Sequence, residues 1–298
     1  MNAVATENLC KRYGAHEALR GIDLQVPEGS LFGFLGPNGS GKTTAIRIMM
    51  GLLRSTGGRA QVLGQDAWRD GPTLRRDVGY LPGEVRFYPD RTGRQILDIV
   101  CAARGLQAGA EVRRLAERFD LDLSRRVRAF SSGMKQKLGL IAAMLHRPPL
   151  LILDEPTTGL DPLVRRTLFD ELRTVAARGG TVLFSSHTLA EVAELCTHVA
   201  VLREGRLVEQ DRIDVLRSRA LRRVELTLAA SAPRLTPPEG LHIEHQNARQ
   251  IRATWVGPVQ PLLTWLSRIP VSDVIIAQPD LEDLFLAYYE DRDEGNAT

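Results

Sequence analysis

A glycine-rich loop between an apolar segment and a helical segment constrains the fold of this 298-residue chain more than any other feature. The apolar segment is 31–35, the helical segment is 44–53, and the loop between them reads Gly36, Pro37, Asn38, Gly39, Ser40, Gly41, Lys42, Thr43. In such a unit the glycines let backbone N–H groups approach phosphate oxygens, and the helix N-terminus favours negative charge. The pattern predicts a phosphate-binding loop (P-loop), although a plain glycine-rich turn between a strand and a helix can look the same in sequence.

The lysine of this loop belongs to a residue type that the chain otherwise avoids. Only four of the 39 basic residues are lysines, and the others are arginines. The planar fork of arginine cannot replace a compact ammonium charge in a nest of phosphate-binding N–H groups. We therefore predict that Lys42 bridges the β- and γ-phosphates of a nucleotide and that the Thr43 hydroxyl ligates Mg²⁺.

Two carboxylates close a continuous apolar run at 150–155. Such a run is typical of a strand buried on both faces of a parallel sheet, and ligands bind at the carboxyl end of that kind of strand. We predict that Asp154 holds Mg²⁺, directly or through water, and that Glu155 takes the proton from an attacking water. The alternative is a strand that merely ends in two acids.

A second strand-like segment, 181–186, ends at His187. A histidine at the carboxyl edge of a strand can reach a γ-phosphate or orient the water, and we predict this role for His187. Ordinary roles are expected for the other histidines, which are His16, His146, His198, His242 and His245.

The motifs and their order resemble the nucleotide-binding subunits of ABC transporters over residues 1–217. Tyr13 is similar to the aromatic residue that stacks on adenine, and residues 36–43 resemble the Walker A loop. Residues 150–155 resemble Walker B with the catalytic glutamate, and His187 resembles the switch histidine. Residues 159–161 resemble the D-loop, and 130–134 resemble the family's signature motif. The resemblance implies that ATP and Mg²⁺ are the cofactors and that Lys42, Glu155 and His187 are catalytic. The nucleotide-binding residues that it implies are Tyr13, Gly36, Pro37, Asn38, Gly39, Ser40, Gly41, Lys42, Thr43, Thr44, Ser131, Ser132, Gly133 and Asp161.

The signature implies a site shared between two chains. In the family this motif contacts the γ-phosphate of ATP held by the opposite subunit. Here 131–133 precede a helical pattern, so backbone donors and the helix dipole would face an anion, whereas the alternative is an ordinary serine N-cap. One chain carries one P-loop and one signature, so complete sites require a second ATPase protomer, expected to be an identical copy, in a closed head-to-tail pair.

Two motifs depart from the family pattern. The signature has Ser132 where glycine is usual and Met134 where glutamine is usual. Gly83 stands where the family generally has a glutamine that contacts Mg²⁺. Our hypothesis is that the neighbouring Glu84 substitutes for it as a metal ligand, directly or through water; the alternative is that coupling depends on the backbone of the loop.

The resemblance implies a peripheral subunit at the cytoplasmic face of a membrane, and composition and patterning agree with this expectation. The longest uncharged apolar stretch, 138–145, is far shorter than the roughly 20 residues that cross a bilayer, and charged residues interrupt the N-terminal region. The resemblance implies that an integral membrane permease on a separate chain is the partner. A net charge of +3 is too weak a field to argue for binding of nucleic acid.

The order of elements predicts an α/β fold of the P-loop NTPase type. Strands dominate 3–35, as in an antiparallel β subdomain, and an uninterrupted helical stretch over 93–146 carries the signature as an α-helical subdomain. The ATPase domain is expected at 1–217 and a small C-terminal α+β domain at 218–298. In the C-terminal domain, the strand candidates are 224–228, 241–245, 250–255 and 271–277. A helix is predicted at 261–268, and a final helix at 279–289.

The segment Leu281-Glu282-Asp283-Leu284-Phe285-Leu286 resembles the C-terminal tail of ATP-binding subunits from exporters of the drug and antibiotic-resistance type. The expected function is ATP hydrolysis that powers export of a drug, antibiotic, lipid or other small molecule. An importer ATPase and a regulatory ATPase without a transport role are the alternatives.

Overall fold

The computed structural model describes residues 1–219, 221–229 and 236–277 of the chain. These residues form two compact units, one from Met1 to Gln210 and a second that begins at Asp211. The domain bounds given above, 1–217 and 218–298, stay a prediction, and the final helix predicted at 279–289 lies outside the described residues. Among the described helices, none combines the length and the apolar character needed to span a membrane.

An antiparallel sheet forms one layer of the first unit. Its strands are β1 (Asn2–Tyr13), β2 (His16–Ile22), β3 (Gln25–Pro27), β5 (Gly57–Val62) and β6 (Gln65–Asp66). They lie in the order β2-β1-β5-β6, with β3 paired to β1. The hairpin between β1 and β2 places Tyr13 opposite His16.

A six-stranded sheet forms the second layer and positions the catalytic candidates. Its strands are β4 (Leu31–Leu35), β7 (Val78–Leu81), β8 (Leu150–Leu153), β9 (Thr181–Ser186), β10 (His198–Arg203) and β11 (Arg206–Arg212), in the order β11-β10-β4-β9-β8-β7. The strands from β10 to β7 run parallel to their neighbours. Every residue of β4, β8 and β9 is buried, as expected for a parallel sheet covered on both faces. The carboxyl ends of these three strands therefore lie side by side.

The helices of the first unit alternate with the parallel strands. They are α1 (Lys42–Met49), α2 (Gly71–Asp77), α3 (Gly93–Arg104), α4 (Gly109–Arg118), α5 (Ser132–Met144), α6 (Pro162–Ala177) and α7 (Leu189–Leu195). The prediction of an uninterrupted helical stretch over 93–146 is wrong, because three helices and a short 3-10 turn at Val127–Ala129 occupy this region. Gly105 ends α3 in the left-handed conformation at φ 65°, which interrupts the helix at little steric cost.

The second unit contains a four-stranded antiparallel sheet and two helices within the described residues. Its elements are α8 (Ile213–Arg219), β12 (Arg222–Leu228), β13 (Leu241–Gln246), β14 (Gln250–Trp255), α9 (Val259–Leu266) and β15 (Val271–Ile276). The sheet order is β13-β14-β12-β15. Trp255, Leu262 and Leu266 belong to its buried apolar cluster. The four predicted strands and the predicted helix at 261–268 all correspond to elements of the structure. No predicted end differs from the observed one by more than two residues.

Candidate nucleotide-binding and hydrolysis site

The loop between β4 and α1 forms the wall of an open cavity of about 290 Å³. The loop ends at Gly41, whose φ of 110° is a conformation that favours glycine, and α1 begins at the next residue. The lining residues are Tyr13, His16, Ala18, Pro37, Asn38, Gly39, Ser40, Gly41, Lys42, Thr43, Thr44 and Glu155. The structure thus gathers the predicted loop residues around one cavity, apart from Gly36, whose carbonyl lies behind it and accepts a hydrogen bond from Lys42.

The ammonium group of Lys42 is buried beneath this loop. The residue is 5% exposed, and its Nζ donates to the carbonyl oxygens of Gly36 at 2.5 Å and Pro37 at 3.2 Å. Its Nζ also lies 3.3 Å from Oε1 of Glu155. A buried cation held by carbonyls and a carboxylate at a helix N-terminus makes the cavity attractive to anions.

Strand register brings the two carboxylates that follow β8 to a serine of β9. Leu153 pairs with Phe184, so the next residues of the two strands, Asp154 and Ser185, are neighbours. The Ser185 hydroxyl donates to Oδ1 of Asp154 at 2.7 Å and accepts the backbone N–H of Glu155 at 2.9 Å. One buried hydroxyl therefore fixes both acidic residues.

Asp154 is completely buried, and its Oδ2 has no hydrogen-bond partner among the described residues. This oxygen faces the loop after β7, where a Cβ built on Gly83 would lie only 3.3 Å away. Burial and the negative charge of Asp154 raise the pKa of Tyr80 to about 12, which keeps that hydroxyl protonated at neutral pH.

Glu155 connects the loop lysine to the histidine that follows β9. Its Oε2 lies 2.7 Å from Nδ1 of His187, while Oε1 is the atom near Lys42. Its backbone has φ 50°, a left-handed conformation that costs a non-glycine residue about 1–3 kcal/mol and that clusters at functional sites. Lys42, Glu155 and His187 thus form one line of charged and polar groups, with Lys42 and Glu155 lining the cavity.

The signature residues lie elsewhere on the same chain. In the described part of the chain, none of Ser131, Ser132 and Gly133 lines the P-loop cavity. Ser131 is the N-cap of α5 and accepts a hydrogen bond from the backbone N–H of Met134 at 3.2 Å. Gly133 packs so closely on the D-loop that an added Cβ would stand 2.5 Å from the carbonyl oxygen of Gly159.

Asp161 caps α6, the helix that follows the D-loop. Its Oδ1 accepts the backbone N–H groups of Leu163 and Val164, each at 3.0 Å. The bond from Val164 is the main reason why the pKa of Asp161 lies below its usual value. In this structure its side chain is therefore engaged in helix capping, and its nucleotide contact stays a prediction.

Glu84 occupies a different environment from Gly83. The Glu84 carboxylate is 72% exposed and pairs with Arg86 at 2.8 Å. Its role as a metal ligand stays a prediction, while Gly83 is the residue whose backbone lies beside Asp154.

Sequence reasoning missed two residues of this site. His16 lines the cavity opposite Tyr13, and the signal that could have found it is the two-residue turn that pairs these positions in a hairpin. Ser185 bridges Asp154 and Glu155, and the signal was a polar residue at the end of an apolar strand, two positions before His187.

The parallel sheet, the phosphate-binding loop and the acidic pair at the carboxyl end of the adjacent strands define a P-loop ATPase. Comparisons with known proteins narrow the class. The family model described as ABC transporter matches residues 19–158. A daunorubicin resistance ATP-binding protein of Streptomyces coeruleorubidus is 34% identical over 95% of this chain and 95% of its own length. A bacitracin transport ATP-binding protein of Bacillus licheniformis is 35% identical over 76% of this chain and 75% of its own length.

A solved structure of an ATP-binding subunit of an ABC transporter is 32% identical, with a TM-score of 0.65 over 72% of this chain and 92% of that one. The chain belongs to the ABC transporter family, as an ATP-binding subunit with ATPase activity. This finding confirms the family resemblance and the fold class predicted from the sequence.

Proposed function

We propose that two copies of this chain bind Mg-ATP between them, hydrolyse it, and drive a separate integral membrane permease that exports a small molecule. The observation that carries the hydrolytic part is the line from Lys42 through Glu155 to His187 at the P-loop cavity. Phosphoryl transfer to water uses a lysine at the β- and γ-phosphates and a residue that orients or deprotonates the water, and Lys42 and Glu155 are suited to these two roles.

The roles follow from the positions of the three side chains. Lys42 holds the phosphates, because its ammonium group is fixed beneath the loop whose N–H groups surround them. Glu155 accepts the proton of the attacking water, and a positioned base of this kind contributes about 10²–10⁴-fold in rate. His187 holds the second carboxylate oxygen and so keeps the base oriented.

Magnesium fits the donors that the chain provides. The described residues contain no cluster of three or more His, Cys, Asp or Glu side chains that could cage a metal on their own. Mg²⁺ is commonly bound by one or two carboxylates together with substrate phosphates, so one buried carboxylate suffices. The unpartnered Oδ2 of Asp154 and the hydroxyl of Thr43 would hold the ion, which neutralises charge that develops on the phosphates.

The separation of the signature from the P-loop cavity supports the two-chain site. Ser131 and Gly133 stand at the N-terminus of α5, where backbone donors favour an anion, yet they do not belong to the cavity lining in the described part of this chain. A head-to-tail pair gives each cavity a signature from the other copy and closes with two equivalent sites.

The names of the relatives support export. The full-length relative from Streptomyces coeruleorubidus is named for resistance to daunorubicin, and it covers the second unit as well as the ATPase unit. A drug, an antibiotic or a lipid is the class of cargo we propose, and the chain would act as a peripheral subunit at the cytoplasmic face of the membrane.

The hydrolytic part is tested with Glu155→Gln and Lys42→Ala in the purified chain. Glu155→Gln removes the base but keeps the size of the side chain, so the rate of ATP hydrolysis should fall by about 10²–10⁴-fold. ATP binding should survive, and a dimer should accumulate on addition of ATP, detected by light scattering after size exclusion. Lys42→Ala should weaken ATP binding itself, and no dimer should form. Normal turnover by the Glu155 variant would remove this residue from the mechanism.

The transport part is tested with a membrane permease identified by its co-purification with this chain. Both proteins are reconstituted in inside-out vesicles with ATP outside, and uptake of a fluorescent drug into the lumen corresponds to export from a cell. ATP-driven loss of preloaded drug from the lumen would instead identify an importer. Uptake that persists with Glu155→Gln would disconnect transport from this ATPase.

A further inference from the structure

A buried amide on the signature helix contacts the backbone of the catalytic acid. Gln136 of α5 is 6% exposed, and its Nε2 donates to the carbonyl oxygen of Glu155 at 3.3 Å and to that of Pro156 at 3.1 Å. A buried amide is costly unless its donors are satisfied, so these two bonds strongly favour the observed placement of the side chain.

The backbone that receives these bonds is the strained one. Glu155 has φ 50°, and such a conformation persists only where its surroundings hold it. Ser185 holds the N–H of Glu155 from β9, and Gln136 holds its carbonyl from α5. The direction of the Glu155 side chain therefore depends on both contacts.

The same helix touches the far end of this segment. Gly133, in the first turn of α5, packs against the carbonyl of Gly159 so closely that any Cβ would collide with it. Helix α5 thus contacts the catalytic segment at Glu155 through Gln136 and at the D-loop through Gly133. A displacement of its N-terminus would be transmitted to both places.

We propose that Gln136 is a positioning residue for Glu155, and that it links the signature end of α5 to the hydrolytic carboxylate of the same chain. This inference rests on the proposed function of Glu155 as the base. When the signature of one copy binds a nucleotide, a displacement of α5 would move Gln136 and, through this contact, the backbone of Glu155 in the same copy.

The test begins with Gln136→Met, which keeps the length of the side chain and removes the amide. We expect kcat for ATP hydrolysis to fall by about 10–100-fold, the range associated with a misplacement of roughly 1 Å in a catalytic group. KM for ATP and ATP affinity should change by less than about twofold, because Gln136 is not among the described residues that line the P-loop cavity, and its contact there is with the backbone carbonyl of Glu155. Unchanged kcat in a folded variant would overturn the proposal.

A control for the loss of a glutamine amide exists at an exposed position of α3. The side chain of Gln95 in α3 also forms a hydrogen bond with the backbone, because its Oε1 accepts the N–H of Thr92 at 3.0 Å. Gln95→Met removes a side-chain amide of the same kind far along the chain from Glu155, and its kcat should equal that of the unchanged protein. If Gln136→Met does not fold, Gln136→Asn keeps an amide but withdraws it by one methylene, and the same loss of kcat is expected.

A double-mutant cycle separates positioning from a merely structural effect. Single-turnover hydrolysis is measured for Glu155→Gln, Gln136→Met and the double variant. If Gln136 acts through Glu155, the double variant hydrolyses ATP no more slowly than Glu155→Gln alone. A double variant whose two losses multiply would overturn the proposal. Undiminished hydrolysis by Glu155→Gln alone would instead overturn the proposed function, so the two failures are distinguishable.

Discussion

Removal of the Ser185 hydroxyl tests whether one residue of β9 holds both acids of the site. Ser185 is completely buried and stands between Oδ1 of Asp154, to which it donates at 2.7 Å, and the N–H of Glu155, which it accepts at 2.9 Å. Ser185→Ala leaves a buried carboxylate oxygen and a partly buried N–H without this partner. Orphaned groups of this kind cost about 1–3 kcal/mol each, so the free energy of unfolding should fall by about 2–6 kcal/mol.

The activity should fall together with the stability. The φ of 50° at Glu155 is held in part by the lost bond, and about 1–3 kcal/mol of backbone strain favours its relaxation. A relaxed backbone turns the carboxylate away from its position, so kcat should decrease by about 10-fold or more while ATP affinity is retained. Urea unfolding followed by circular dichroism gives the first quantity, and a phosphate-release assay gives the second.

The adjacent residue supplies the control. Ser186 is equally buried, donates to Oε2 of Glu191 at 2.8 Å and accepts the N–H of Thr188 at 2.9 Å. Ser186→Ala therefore breaks the same two kinds of bond without touching Asp154 or Glu155, and it should lose a similar free energy of unfolding but less activity. Equal losses of kcat in the two variants, or a Ser185 variant with normal turnover, would refute this account.

Two further predictions concern a close contact and a titrating group. Gly133→Ala should lower both thermal stability and ATP turnover, because its methyl group would meet the carbonyl oxygen of Gly159 at 2.5 Å; helix propensity alone favours alanine by about 1 kcal/mol, so a stabilised variant would contradict the clash. Burial and the charge of Arg104 lower the pKa of His146 from 6.5 to about 4. Between these two pH values, His146 is protonated in the unfolded chain and neutral in the folded chain. The stability that neutral His146 contributes is complete above about pH 6.5 and is lost as the pH falls towards 4, so His146→Asn should flatten the decline of the melting temperature between about pH 7.5 and pH 5. Parallel declines for the two proteins would count against this assignment.

Much of the site could be predicted from short segments of sequence. The loop at 36–43 folds as one strand–loop–helix unit, so its chemistry is encoded by neighbouring residues and needs no distant contact. Asp154, Glu155 and His187 each end an apolar run, and the carboxyl ends of parallel strands meet at one edge of the sheet. The comparisons with relatives confirm the family that these segments predicted.

Other features depend on contacts between residues far apart in the chain. The bond from Ser185 to Asp154 spans 31 positions and exists only because β8 and β9 pair in a particular register, and a shift of one residue would direct both side chains elsewhere. The contact of Gln136 with Glu155 likewise requires α5 to pack beneath the end of β8. Such pairings leave no periodic trace in the sequence.

The sequence by itself determined the chemistry of this protein: a phosphate-binding loop, an acidic pair, a histidine and a signature, in an order that identifies their class. Only the tertiary structure decided which atoms meet, namely that Glu155 lies between Lys42 and His187 and that Glu84 points to Arg86 while Gly83 faces Asp154. The reason is physical, since local segments encode which groups are present, whereas strand register and helix packing fix their distances to a few tenths of an ångström.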